Sequence, residues 1–505
     1  MPTLSTFSGK LFKDVVFKKG TRSLRGSYDI IPSEPVQVGN DRQLLMDFHV
    51  IDDLNNCRRS VEQPVKHPDN PLIKPEDLEN GANVYGGTAL RDPETGRLRM
   101  WFARGDGQPY GDEMSSCCCD SDDGLNWRPA ERNGRSGATK GGSRLLDATA
   151  TNVHSVVLLP ERMRAQGRYG AIYPNYLKPE EIPDPETMHN MRHFAAFSED
   201  GIEWTDAPHN PVWAGRSDCS NTVAYNEERD VFMIYRRSTI NAGQVRRIAY
   251  SESKDLISWT QPFTVITRDE LDPLWFYSMP VTRYQGLYLG FLWRLDHHPH
   301  PDQMCAHGKD FKMETELAWS RDGMRWERHP QRPIFLPVSP PRNGRCDWGW
   351  AIARTNVVEM DEDLFIYYEG REYMHGPGFY RRDDMRSNLC LATLKRDRFV
   401  ALEADTDGGF MLTKPMACRG GRLHINARTE DDGFVRVAVR EGRGVRDGEW
   451  PEQWRLPTSN PFTGDSLDQV MTWQQHDDLS AFPGEGVLRL HFWLENAKLY
   501  SFWFE

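Results

Sequence analysis

The chain has 505 residues, a formal net charge of −12 and 38% hydrophobic residues. That length exceeds one small domain and suits a large unit with a smaller one beside it. The acidic balance and the lack of a long basic run argue against nucleic acid or anionic membrane as partners, and no apolar stretch approaches the ~18 residues a bilayer span needs.

The N-terminal segment MPTLSTFSGKLFKDVVFKKG shows neither an apolar h-region nor a small-residue cleavage site. There are nine cysteines, an odd number, and no CxxC pair. Together these give the expectation of a cytoplasmic protein with reduced thiols, a trimmed secretory leader being the alternative. Cys117, Cys118 and Cys119 are consecutive in a strand-like run. Neighbours along a strand point to opposite faces, so the three cannot line one site and read as small buried hydrophobes. Residues 1–82 hold one strand-like run, LLMDFHVI, and a proline-rich tether. They read as an N-terminal extension packing on the larger downstream unit.

From residue 83 a repeat organises the chain. Ser-x-Asp-x-x-x-Trp occurs at Ser121–Asp123–Trp127, Ser198–Asp200–Trp204, Ser253–Asp255–Trp259 and Ser320–Asp322–Trp326, with a degenerate copy at Thr393–Lys395–Phe399. The intervals are 77, 55, 67 and 73 residues. Each copy predicts a strand ending in Ser, a tight turn made by Asp and Gly, and a Trp folded back over the sheet edge. Two further strand-like runs precede each copy. They are NVYGGTAL and RLRMWFAR, NVHSVVLLP and RYGAIY, NTVAYN and VFMIYRR, WFYSMPVTRY and LYLGFLWRL, then WAIARTNVVEM and LFIYYEG. DPETGR and NEERD read as hairpin turns. No convincing helical period appears. The prediction is an all-β chain: a five-bladed β-propeller over residues 83–404 and a C-terminal β-sandwich over residues 405–505, where GFVRVAVR, VLRLHFWLE and KLYSFWFE alternate apolar and polar residues.

In a propeller, sites form where innermost strands begin and second strands end. Three predicted blades open on an acid, at Asp218, Asp272 and Asp347; Glu369 ends a strongly apolar strand, and Glu79 precedes the first blade. Carboxylates beside aromatic rings suit glycoside chemistry, in which one carboxyl protonates the leaving oxygen and another attacks carbon or activates water. These five are the candidate catalytic acids, Asp218 and Asp347 first. The candidate substrate-binding set is Tyr85, His154, Arg236, Trp275, Tyr277, Arg294, His298, Trp348, Arg371 and His375. The aromatic members could stack on sugar faces. The arginines, with Arg104 and Arg237, would form a basic funnel suited to an anionic or unusual sugar, or to phosphate. RLDHHPHPDQMCAH has no standard ligand spacing and reads as a loop over the channel mouth. No metal site and no cofactor is expected, although a structural or substrate-site divalent cation is compatible with that segment.

The blade repeats resemble those of the five-bladed glycoside hydrolases of families 32, 43 and 130, and more closely a bacterial group of family-32-like glycosyl hydrolases. The matching elements over residues 40–505 are QPVKHPDNPLI, VYGGTALRDPETGRLRMWF, SEDGIEW, GLYLGFLWRLDHH, SRDGMRWERHPQRPIFLP, CDWGWA, IYYEGREYMHG and LTKPMACRGGRLHIN. The resemblance implies hydrolysis of a glycosidic bond by paired carboxylates. The first blade departs from it, opening on Asn83 and Tyr85 where those families place a catalytic Asp, and no E-C-P-like acid motif is present. The partner expected is an oligosaccharide or glycoside, and a homo-oligomer is compatible with the sequence. The alternatives are a glycoside phosphorylase, a uronate-type lyase and a non-catalytic sugar-binding propeller.

Overall fold

The structure is a computed structural model, and it describes residues 34–39, 41–78, 83–105, 115–130, 138–139, 142–144, 155–176, 191–213, 221–237, 246–273, 275–297, 311–340, 344–375, 385–418, 421–442, 451–474, 476–482 and 486–505. Among them every regular element is a strand or a three-residue 3₁₀ turn, so the chain is all-β, with several sheets. No helix among the described residues is long and apolar enough to cross a membrane. The chain divides into two compact units, residues 61–396 and residues 1–60 with 397–505. The sequence reading set its boundaries at 82/83 and 404/405.

The larger unit is a succession of antiparallel meanders. The first is Asn83–Arg91, Leu98–Gly105 and Ser115–Ser121; the second Ser155–Leu158, Tyr169–Tyr176 and Met191–Ser198; the third Thr222–Asn226, Val231–Arg237 and Ile248–Ser253. The fourth is Val281–Tyr284, Leu287–His297 and Phe311–Ser320, and the fifth Trp350–Met360, Asp363–Arg371 and Ser387–Lys395. Each first strand neighbours the first strand of the next meander, and that of the fifth returns to that of the first. Buried hydroxyls bond several of these neighbours together. Thr88 Oγ1 accepts the Val156 amide at 3.3 Å, Ser155 Oγ accepts the Val223 amide at 2.8 Å, and Thr222 Oγ1 donates to the Met279 carbonyl at 3.0 Å. A hydroxyl suits this place because it satisfies a backbone group that no ladder partner reaches. The fifth meander gains a short outer strand from far upstream: Val65–Lys66 pairs antiparallel with Ala392–Thr393.

The repeated turns show why the motif needs its residues. In each of the four exact copies one Asp oxygen accepts two successive backbone amides, at 2.7 to 2.9 Å. The Trp indole donates to a carbonyl three residues back at 3.0 to 3.2 Å. Burial works to raise the Asp322 pKa, but the Arg325 and Met324 amides outweigh it and hold it down to about 2. In three copies the carbonyl that takes the indole proton also takes one from the preceding meander. Tyr367 donates to Gly124 at 2.8 Å, Trp101 to Gly201 at 2.6 Å and Tyr235 to Gly323 at 2.8 Å. Gly201 has φ +72°, and a Cβ there would lie 2.7 Å from Trp101. We therefore expect Gly201→Ala to cost roughly 1–3 kcal/mol. Urea unfolding would read it, and a midpoint unchanged from wild type would contradict this account of the turn.

Cys117 and Cys119 join one apolar cluster and Cys118 another, as strand alternation requires, and burial pushes the Cys117 thiol up to about 12. Asp92 caps its hairpin by accepting the Glu94 and Thr95 amides, both at 2.9 Å.

In the smaller unit two predicted strands are one. VLRLHFWLE and KLYSFWFE form a continuous strand, Val487–Phe504, with Asn496 at φ 42° in its middle. It pairs along most of its length with the 19-residue strand Leu423–Glu441, which carries register shifts at Asn426/Ala427 and Thr429/Phe434. LLMDFHVI is not one strand: pairing stops at Leu44 and resumes at Ile51, and between them Asp47 Oδ1 accepts the His49 amide at 3.0 Å. A local side-chain bond of this kind competes with the ladder.

Candidate active site

The strand Asp363–Arg371 sits between Trp350–Met360 and Ser387–Lys395, with Glu369 opposite Ile352 and Leu389. Side chains alternate, so Glu369 and Arg371 share one face while Tyr368 points to the other. Glu369 is 1% exposed. One of its oxygens accepts from Arg371 Nε and, at 3.2 Å, from Ser387 Oγ. The other accepts the Gly86 amide at 3.0 Å and meets Arg354 Nη2. Two guanidiniums and an amide all donate, which is the environment of a carboxylate rather than a carboxylic acid.

Aromatic rings surround these charges. The Arg371 guanidinium lies 3.5 Å over Trp350 and 5.2 Å over Tyr85, and the Arg354 guanidinium 4.7 Å over Trp293. The Arg371 guanidinium lies 5.4 Å over Tyr373, and burial raises the Tyr373 pKa against it. Tyr277 sits 5.9 Å from Trp350 and 5.4 Å from His375, which itself stacks on Trp350 at 5.8 Å. Arg237 lies 3.8 Å over Tyr277, and Arg246 covers Tyr277 at 4.9 Å and Trp275 at 5.4 Å. Among the described residues the buried Trp350 indole N–H has no acceptor. Glu369, Arg354, Arg371 and Trp350 are buried, and Trp275 and His375 at the edge of the cluster are half-buried.

The structure thus brings together Glu369, Arg371, Tyr85, Tyr277, Trp275 and His375, from the first, fourth and fifth meanders. It adds Arg354, Trp293, Tyr373 and Arg246, which the sequence reading did not single out. The available signal for Arg354 was a lone cation inside the apolar run WAIARTNVVEM.

Asp347 is elsewhere. It lies on the other face of the same strand, where it accepts the Tyr368 hydroxyl at 2.9 Å and pairs with Lys66 Nζ at 2.5 Å. Gly370 leaves room for it, since a Cβ there would come within 2.9 Å of the Asp347 Cβ. Trp348 beside it is half-buried. Asp272 and Arg294 belong to an ionic network around the fourth meander. Arg328 bonds Asp272 at 2.8 Å and Glu316 at 2.7 Å, and Arg294 bonds Glu316 at 3.1 Å. Burial works to raise the Asp272 pKa, but Arg328 outweighs it and keeps the carboxyl below its ordinary range. At the end of the second strand of that meander, burial raises the pKa of Asp296, against the nearby charges of Arg294 and Lys312. Arg236 faces away from Arg237, over Trp213 at 3.0 Å. Asp218, Glu79, His154 and His298 lie outside the described residues. Among the described residues no group of three His, Cys, Asp or Glu side chains is placed to hold a metal ion.

No protein-family model matches the chain, and no curated protein does. Solved structures similar to it include a glycoside hydrolase family 32 β-fructofuranosidase of Bombyx mori, at 10% identity, TM-score 0.42, covering 88% of this chain and 95% of that one. Another carries the description "The GH130 family of mannoside phosphorylases contains glycoside hydrolases that target beta-1,2 mannosidic linkages in Candida mannan", at 15% identity, TM-score 0.42 and coverage of 67% and 95%. A third, named a glycoside hydrolase, has 14% identity, TM-score 0.41 and coverage of 68% and 92%. At this level the similarity fixes neither family nor activity.

Proposed function

We propose that the chain is a glycoside hydrolase on a five-bladed β-propeller, the meanders being its blades, with the smaller unit a C-terminal β-sandwich. The observation that carries this reading is the buried Glu369 carboxylate, held by Arg354 and Arg371 among aromatic rings of three neighbouring meanders. Indole and phenol faces pack against the C–H faces of a pyranose, and fixed guanidiniums and the free Trp350 N–H suit its hydroxyls. Glu369, surrounded by donors, serves as the ionised member of the carboxylate pair. It stabilises positive charge at the anomeric carbon, or acts there as base or nucleophile. Asp347, Asp272 and Asp296, each facing a cation, hold structure in this reading.

Incubation with a panel of neutral and acidic oligosaccharides, with and without phosphate, tests it by mass spectrometry. Products heavier by water support hydrolysis. Sugar phosphates, unsaturated products or binding without turnover would each replace it with one of the alternative readings.

Burial raises the pKa of Asp296, so the stability it contributes is present below the ordinary Asp pKa and lost as pH rises through the folded one. Denaturant unfolding of wild type and Asp296→Asn across that pH range should show the wild type alone losing stability, and parallel curves would contradict this.

A further inference from the structure

The second strand of the third meander ends in two arginines that face opposite ways. Arg237 turns to Tyr277, donating from Nε to its carbonyl at 3.0 Å. Arg236 turns to the second meander, where Trp213 lies against its guanidinium at 3.0 Å. Arg236 is only 2% exposed, and among the described residues its Nε and Nη1 have no hydrogen-bond partner. Nor does a carboxylate among the described residues offset its charge: burial alone acts on it, pushing its pKa down to about 9. Several other buried arginines are met by carboxylates. Arg371 and Arg354 meet Glu369, Arg328 meets Asp272 and Glu316, and Arg398 meets Asp465.

A guanidinium withdrawn from water without an anion is costly, and among the described residues none is supplied to this one. Its surroundings are polar on one side. Trp213 is bridged to the His193 backbone, and the His193 ring meets Asn221 at 2.5 Å. A planar fork backed by an indole and presenting unused N–H groups matches a two-oxygen anion. We propose that Arg236 is an anion-recognition site whose partner is a carboxylate carried on the substrate sugar, so that the substrate class is acidic glycosides. This rests on the glycoside reading above. The site lies at the same strand end as Arg237, whose guanidinium covers the Tyr277 ring of the aromatic cluster.

The test compares wild type with Arg236→Met and Arg236→Gln. The probes are methyl glycosides of glucuronate and galacturonate, their neutral counterparts glucose and galactose, and inorganic phosphate, all by calorimetry. The expected result is uronide binding at least tenfold tighter than that of the neutral glycosides, with the preference lost in both variants. An independent readout is melting temperature without ligand. Removing an unpaired buried charge should leave Arg236→Met at least as stable as wild type, whereas an arginine with a structural partner would leave it less so. Equal binding of uronides and neutral glycosides overturns the proposal. So does a uronide preference that survives both variants. Phosphate binding without uronide binding overturns the sugar-borne anion and assigns the site to phosphate. Uronide binding without turnover would sustain this site while sinking the hydrolase reading. Turnover of neutral glycosides, unchanged in Arg236→Met, would do the reverse.

Discussion

Glu369→Gln should lose roughly 10³-fold in kcat on whichever glycoside the wild type cleaves. Gln keeps the shape, but its single oxygen can accept from Gly86 or from Ser387 and not from both, and it no longer balances Arg354 and Arg371. The loss therefore has two components, which must be separated. Two buried guanidiniums without a counter-ion also destabilise, by about 3–5 kcal/mol where a buried pair is broken. Assays well below the variant's melting transition isolate the catalytic part. If the folded variant there retains wild-type kcat, Glu369 only holds the fifth meander to the first.

The second large effect concerns Lys66 and Asp347. Lys66 lies on the short strand that the upstream segment adds to the fifth meander, and its ammonium contacts Asp347 Oδ2 and, at 3.1 Å, Ser339 Oγ. The Asp347 side chain is 2% exposed. Lys66→Met should leave that carboxylate buried and uncompensated, at a cost of about 3–5 kcal/mol. In the double variant with Asp347→Asn the cost should be much smaller, because neither charge remains. Chemical denaturation of the four proteins measures the coupling. The sequence reading placed Asp218 and Asp347 first among the catalytic acids, and that role for Asp347 makes the opposite forecast: Asp347→Asn abolishes activity with little change in stability, and Lys66→Met shows no coupling to it.

These residues also show what the sequence could and could not disclose. The Ser-x-Asp-x-x-x-Trp copies located the turns because the motif is local: the Asp caps its own next amides and the Trp reaches back three residues. The strands were legible for the same reason, as runs of β-formers between turn residues. Val65–Lys66 was not, since a two-residue strand has no periodicity and its partner lies more than 320 residues away. The site was half legible. Glu369, Arg371, Tyr85, Tyr277 and Trp275 stand at strand ends, where position along the meander predicts convergence. Which face a strand end presents was not legible, so Asp347 and Glu369 read as neighbours although one strand separates them. Arg354 was hidden because its strand is irregular at that point, with a register shift between Ala353 and Val357.

The most direct test of the central claim is to incubate wild type and Glu369→Gln with the cleaved glycoside in ¹⁸O-labelled water and follow products by mass spectrometry. The account predicts one labelled oxygen in each wild-type cleavage event and almost none from the folded variant. Unlabelled products from wild type, or equal labelling by both proteins, would contradict it.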